Sequence, residues 1–225
     1  MRCCQQIANE ENSHALHIAC HLGILLAIWV SAAITAIPQA AAADQDVYIV
    51  NSRTRMVADV YAFSTDNGSP VVLWTYGGTP NQQFTLQRLP PNFGYQPVEE
   101  QWFLLRARHS GKCLKTAGYQ SGAPVVQSEC IGEAAQMWRV RQVRMTTAEC
   151  PSGRCFAAYR EVLENAYDRG RRCLDAANAK FPAPPAQRAP LQAWNCIPKF
   201  SAPNFVNQEF GLVNVQDWGF TPVVR

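Results

Sequence analysis

A closed, all-β architecture assembled from three repeats is the fold class this sequence predicts. Three observations carry that prediction. Short apolar runs such as Val47-Tyr48-Ile49-Val50, Val71-Val72-Leu73-Trp74 and Phe103-Leu104-Leu105-Arg106 are broken at close intervals by turn signals, among them Asp66-Asn67-Gly68, Ser110-Gly111 and Ser121-Gly122. No long stretch keeps a helical period; Glu161 to Tyr167 fits a helical turn or a strand and turn equally well. Three segments close alike, on Asn81-Gln82-Gln83-Phe84, Ala135-Gln136-Met137-Trp138 and Asn207-Gln208-Glu209-Phe210, each ending in Gln-x-aromatic. Units this small cannot each bury an apolar face alone, so they must share one core.

In chain order, the N-terminal segment differs from the rest. Leu22 to Ile37 is apolar but only sixteen residues long, short of the roughly 20 that a membrane span needs. It runs into Ala40 to Ala43 and then Asp44. This is the apolar region and small-residue cleavage site of a secretory signal peptide, the rival reading being a membrane anchor. Its n-region is long and sets Arg2 against Glu10 and Glu11, which fits a true start downstream of Met1. The expectation is a leader over 1–43 and a single domain over 44–225, secreted to the extracellular space, or to the periplasm in a Gram-negative host, with no membrane span after cleavage.

Cleavage there removes Cys3, Cys4 and Cys20 and leaves Cys113, Cys130, Cys150, Cys155, Cys173 and Cys196. An even count in an exported chain reads as three disulfides, in any of fifteen connectivities. The repeat frame, approximately 47–88, 101–143 and 155–213, favours one of them. The second repeat holds Cys113-Leu114-Lys115 and then Val126-Gln127-Ser128-Glu129-Cys130; the third holds Cys173-Leu174-Asp175 and then Leu191-Gln192-Ala193-Trp194-Asn195-Cys196. The first holds Val57-Ala58-Asp59-Val60 and Val72-Leu73-Trp74-Thr75-Tyr76, with Val57 and Tyr76 where the others have cysteines. Cys113 with Cys130 and Cys173 with Cys196 follow, and Cys150 with Cys155 would staple Pro-Ser-Gly-Arg. Proline keeps the connectors Leu89–Pro97, Phe181–Pro190 and Ile197–Phe205 out of the sheet.

Three Gln-x-aromatic endings, with Cys-Leu-Asp early and Leu-Gln-Ala-Trp-Asn-Cys late, resemble the ricin B-chain-type β-trefoil lectin family over roughly Val47 to Val213. More remotely, the layout is similar to cytolethal distending toxin binding subunits. The family resemblance implies a trefoil of about twelve strands with shallow sugar sites. It implies glycans as partners, galactose-type sugars first, no cofactor and no metal, and a free-standing lectin or the targeting subunit of a toxin or enzyme complex. In the family's site an Asp accepts hydrogen bonds from hydroxyls, an aromatic face takes the C–H face of the sugar, and an Asn-Gln pair completes it. Carried over by position, repeat one offers Asp59, Trp74, Asn81 and Gln82, and repeat three offers Asp175, Gln192, Trp194, Asn207 and Gln208. Repeat two departs, with Lys115, Ser128 and Ala135 at the deciding positions, so no sugar site is expected there.

Plainer roles compete with these. Phe84, Trp138 and Phe210 are expected in the core, and Gln82, Gln136 and Gln208 on backbone within their repeats. Asp59 and Asp175 also suit turns. A net charge of +3 and the single basic run Asp168 to Arg172 argue against a nucleic-acid partner. Catalysis is not expected: downstream of Asp44 only His109 remains as a histidine, and no carboxylate pair sits in a recognisable hydrolase motif. Asn67-Gly68-Ser69 reads first as a hairpin turn, and as a glycosylation sequon only in a eukaryotic host.

Overall fold

The computed structural model describes residues 44–89, 101–144, 159–177, 186–197 and 207–218. The proposed leader and the Cys150–Cys155 pair lie outside them. Twelve strands fall four to a repeat: β1 Gln45–Asn51, β2 Val57–Val60, β3 Val71–Trp74 and β4 Phe84–Arg88 in the first; β5 Phe103–Ala107, β6 Cys113–Thr116, β7 Ala123–Ser128 and β8 Met137–Arg144 in the second; β9 Tyr159–Asn165, β10 Arg172–Ala176, β11 Leu191–Asn195 and β12 Phe210–Asn214 in the third. The ambiguous segment after Glu161 is strand through Asn165, its apolar side chains Val162 and Leu163 both buried.

The outer strands of each repeat make a barrel. β1 pairs with β4 and β12, β4 with β5, β5 with β8, and β8 with β9, while β12 and β9 are in contact at the remaining seam. The inner strands make three hairpins, β2–β3, β6–β7 and β10–β11. Each hairpin turn donates a backbone hydrogen bond to another repeat: Gly68 N–H to Gln127 O at 2.8 Å, Gly122 N–H to Ala193 O at 2.8 Å, and Arg188 N–H to Leu73 O at 2.7 Å. This cyclic closure of three hairpins on a barrel is the β-trefoil. Pro190, expected outside the sheet, still forms an isolated bridge to Val72, because the bond there runs between the neighbours, from Leu73 N–H to Ala189 O at 2.9 Å, and needs no N–H from the proline.

The register shows why the repeats are needed together. Phe84, Trp138 and Phe210 are all fully buried in one cluster with Ile49, Leu105 and Leu163, and truncating any one of the three closing aromatics would cost about 3–5 kcal/mol. The extra N–H of Trp138 is satisfied by Leu114 O at 3.1 Å, so the larger ring carries no unpaired donor. One layer lower the symmetry breaks. Phe84 faces Val47 and Trp138 faces Phe103, but the third repeat places Glu161 at the corresponding level of β9, where burial pushes its carboxyl up from the usual range.

Cys113 is bonded to Cys130 and Cys173 to Cys196. Repeat one closes the same place by packing. Val57 is buried with Tyr48 and Val50 against Trp218. Tyr76 stacks on Trp218 with centroids 4.3 Å apart, and Tyr48 meets both rings edge-on at 5.2 and 5.0 Å.

Candidate glycan site

In each repeat the glutamine of the closing motif holds the loop before it. Gln82 Nε2 donates to Thr75 O at 3.1 Å while its Oε1 accepts from Gly77 N–H at 2.8 Å. Gln208 donates to Asn195 O at 2.9 Å and accepts from Ile197 N–H at 3.0 Å. Gln136 donates to Glu129 O at 2.5 Å and accepts from Ile131 and Gly132 N–H at 2.9 and 3.0 Å. All three glutamines are buried, so this clamp belongs to the fold of every repeat.

Repeats one and three add a carboxylate to the clamp. Gln82 Nε2 also reaches Asp59 Oδ2 at 2.9 Å, and Gln208 Nε2 reaches Asp175 Oδ2 at 3.2 Å. Gln192 donates to the other oxygen of Asp175 at 2.8 Å, across the β10–β11 pair that sets the two residues opposite each other. Val72 faces Asp59 in repeat one and offers no such donor. Gln82, Gln192 and Gln208 thus orient the carboxylates. Asn81 is equally engaged: Nδ2 donates to Val60 O at 3.1 Å and Oδ1 accepts from Thr79 Oγ at 2.6 Å. Asn207 is buried beside Gln208.

Burial shifts both acids upward. Asp59 lies above the usual carboxylate range, with hydrogen bonds from Gln82 and Asn81 and the field of His109 acting in opposition. Asp175 is pushed up to about 6 by burial, against the hydrogen bonds from Gln192 and Gln208.

Above Asp59 a pocket of about 350 Å³ opens, lined also by Tyr61, Phe63, Trp74, Thr79 and Asn81. Tyr61 and Phe63 rim it from the 3₁₀ turn Tyr61–Phe63 that follows β2, and are 41% and 52% exposed. The Tyr61 and Trp74 rings lie 6.4 Å apart at 58°. Arg188, brought in by the third repeat's hairpin turn, lies over the Trp74 ring at 4.9 Å from its centroid. Trp194 in repeat three is 44% exposed and packs against the turn at Gly122, where an added Cβ would come 3.0 Å from the ring. In repeat two, Lys115 stands at the Asp position and pairs with Glu133 at 2.6 Å.

Tyr61, Phe63 and Arg188 escape the sequence reading. A signal for Arg188 exists: Gly68-Ser69-Pro70-Val71, Gly122-Ala123-Pro124-Val125 and Arg188-Ala189-Pro190-Leu191 are the same turn in the three repeats. Tyr61-Ala62-Phe63, directly after Asp59-Val60, is an aromatic pair beside the carboxylate. The remaining clusters are structural. Glu164, Cys173 and Cys196 lie close enough to suggest a metal site, but both sulfurs are spent in the disulfide, and Glu164 is paired with Arg139 at 2.7 Å and with Arg141. His109 Nε2 lies 2.9 Å from Ser64 O, with the ring edge-on to Phe63. Among the described residues, no helix is long and apolar enough to cross a membrane.

No protein-family model matches this sequence, and no curated protein matches it. Solved structures do. The chain is similar to the designed threefold-symmetric protein ThreeFoil, at 24% identity and TM-score 0.54 over 75% of this chain and 98% of that one. It is similar to the Rhizoctonia solani agglutinin at 17% identity and TM-score 0.52, over 77% and 97%. It is also similar to the Macrolepiota procera ricin B-like lectin, solved with lactose, at 16% identity and TM-score 0.50, over 77% and 98%. At these identities the likeness is one of fold, and the fold it establishes for this chain is the β-trefoil.

Proposed function

We propose that this protein is a secreted carbohydrate-binding protein, a lectin that takes glycans at repeats one and three and performs no chemistry on them. The observation that carries the reading is the repeat-one pocket, where an oriented carboxylate, Asp59, meets Trp74 and the two exposed rings of Tyr61 and Phe63. A carboxylate accepts from sugar hydroxyls, and aromatic faces take the apolar face of the ring. Asp175 and Trp194 offer the same pair in repeat three. Repeat two, its Asp position held by the Lys115–Glu133 pair, is structural. The signal-like leader and the two disulfides support export. The Macrolepiota procera lectin was solved with lactose, so galactose-type sugars are the class to test first.

The test is Trp74→Ala combined with Trp194→Ala on a glycan array. Binding should disappear while the far-ultraviolet spectrum and melting temperature stay close to wild type, because both rings lie outside the buried core cluster. Normal glycan binding by a folded double variant would refute the site assignment.

A further inference from the structure

At the edge of the repeat-one pocket, over Trp74, stands a cation that its own turn does not require. At the hairpin turns of repeats one and two, Gly68 and Gly122 take left-handed backbone, φ 84° and 88°; at the equivalent place repeat three has Arg188, φ 66°. Glycine makes this turn without strain, so the arginine sits there at a conformational cost. Strained non-glycine residues concentrate where a site demands a particular side chain, and two others, Ala62 at φ 57° and Phe63 at φ 56°, line the adjoining pocket. Arg188 is exposed, and its guanidinium lies over Trp74. Among the described residues no carboxylate pairs with it and its side chain forms no hydrogen bond. A guanidinium held on a ring face keeps a fork of N–H donors shaped for a carboxylate or sulfate.

We propose that the repeat-one site selects glycans bearing an anionic substituent, a carboxylate or a sulfate, and that Arg188 reads that charge. The proposal rests on the reading of this pocket as a glycan site. Polarity fixes the orientation. Hydroxyls turn to Asp59 and the anionic group turns to Arg188, since the reverse would set two anions together. Apart from Asp59, the polar side chains lining the pocket, Tyr61, Thr75, Thr79, Asn81 and Gln82, are neutral; Arg188 stands at the pocket's edge, over the Trp74 that lines it, so the preference for an anion falls on one residue.

The experiment uses the full chain carrying Trp194→Ala, which leaves repeat one as the glycan site, on an array of matched oligosaccharides in neutral, sulfated and carboxylate-bearing forms. Acidic members should bind about tenfold more tightly than their neutral parents at low salt. The gap should narrow as NaCl rises from about 20 mM to about 500 mM. Arg188→Gly, the residue the other two repeats use, should fold and abolish the gap, the acidic members losing about tenfold more affinity than their neutral parents. A preference confined to the sulfated or to the carboxylate-bearing arm identifies the source of the charge. Equal binding of neutral and acidic members overturns the proposal. So does a gap that survives Arg188→Gly, or an Arg188→Gly loss that is the same for both, which would make the arginine a prop for Trp74. In those cases the glycan site itself stands if adding Trp74→Ala abolishes binding. If no array member binds, or if Trp74→Ala changes nothing, the site reading fails and the charge proposal falls with it.

Discussion

Acidification should silence repeat three in a defined window, because burial pushes Asp175 up to about 6. The carboxylate that would accept sugar hydroxyls is then mostly ionised at pH 7 and roughly 10% ionised one unit below its midpoint. With Trp74→Ala removing repeat one, glycan affinity through repeat three should fall about tenfold between pH 7 and pH 5. Stability moves the other way. The folded acid titrates above its ordinary value of 3.8, so between roughly pH 4 and 6 the folded state binds more protons than the unfolded one. The strain of the buried charge is fully present above the folded midpoint and is relieved as pH falls through it. A shift from 3.8 to about 6 corresponds to a relief on the order of 3 kcal/mol. Asp175→Asn cannot ionise, so urea unfolding of wild type and variant at pH 7.5 and pH 3.5 isolates this contribution from the other acids. The wild type should gain on the variant by that amount on acidification. Affinity that stays flat from pH 7 to 5 in a folded protein, or a stability difference that does not move, would refute the reasoning.

Two further perturbations separate fold from site. Gln136→Ala removes a buried clamp of three hydrogen bonds to the loop before β8; with water reaching part of that loop, the loss should be about 2–3 kcal/mol and about 5–10 °C in melting temperature, with glycan binding unchanged. Glu161→Leu replaces a carboxyl whose value is raised by burial, in a cavity of about 630 Å³ lined also by Val47, Phe103, Leu212, Arg139 and Arg141. It should stabilise the chain by about 1 kcal/mol at pH 7, and by less at low pH, where the wild-type acid is already neutral; calorimetry at the two pH values checks both.

Each unit of the fold announces itself locally. Phe84, Trp138 and Phe210 recur because three short segments must fill one shared core, and such a requirement repeats along the chain wherever the structure repeats. The glutamines follow the same logic: one clamp geometry serves three loops, whether or not a carboxylate is attached to it. The resemblance assigns Asn81, Gln82 and Gln208 to the sugar site and the plainer reading sets the glutamines on backbone; their side chains bond Val60, Thr75 and Asn195, and the two glutamines also reach Asp59 and Asp175. Sequence position alone cannot separate a residue that touches a ligand from one that aims the residue that does.

Sequence alone determined the repeat, the all-β class, the frame that places Cys113 with Cys130 and Cys173 with Cys196, and the departure of Lys115 from the Asp position, since each is set by residues within one repeat. Tertiary structure decided what surrounds Asp59, a pocket rimmed by Tyr61 and Phe63 and edged by Trp74. Arg188 reaches Trp74 because the hairpins close on one another around the threefold axis, and Trp218 takes over where repeat one lacks a disulfide because the chain's end returns beside its first strand. Those contacts join residues far apart in the chain, and only the cyclic packing of the three repeats brings them within van der Waals reach.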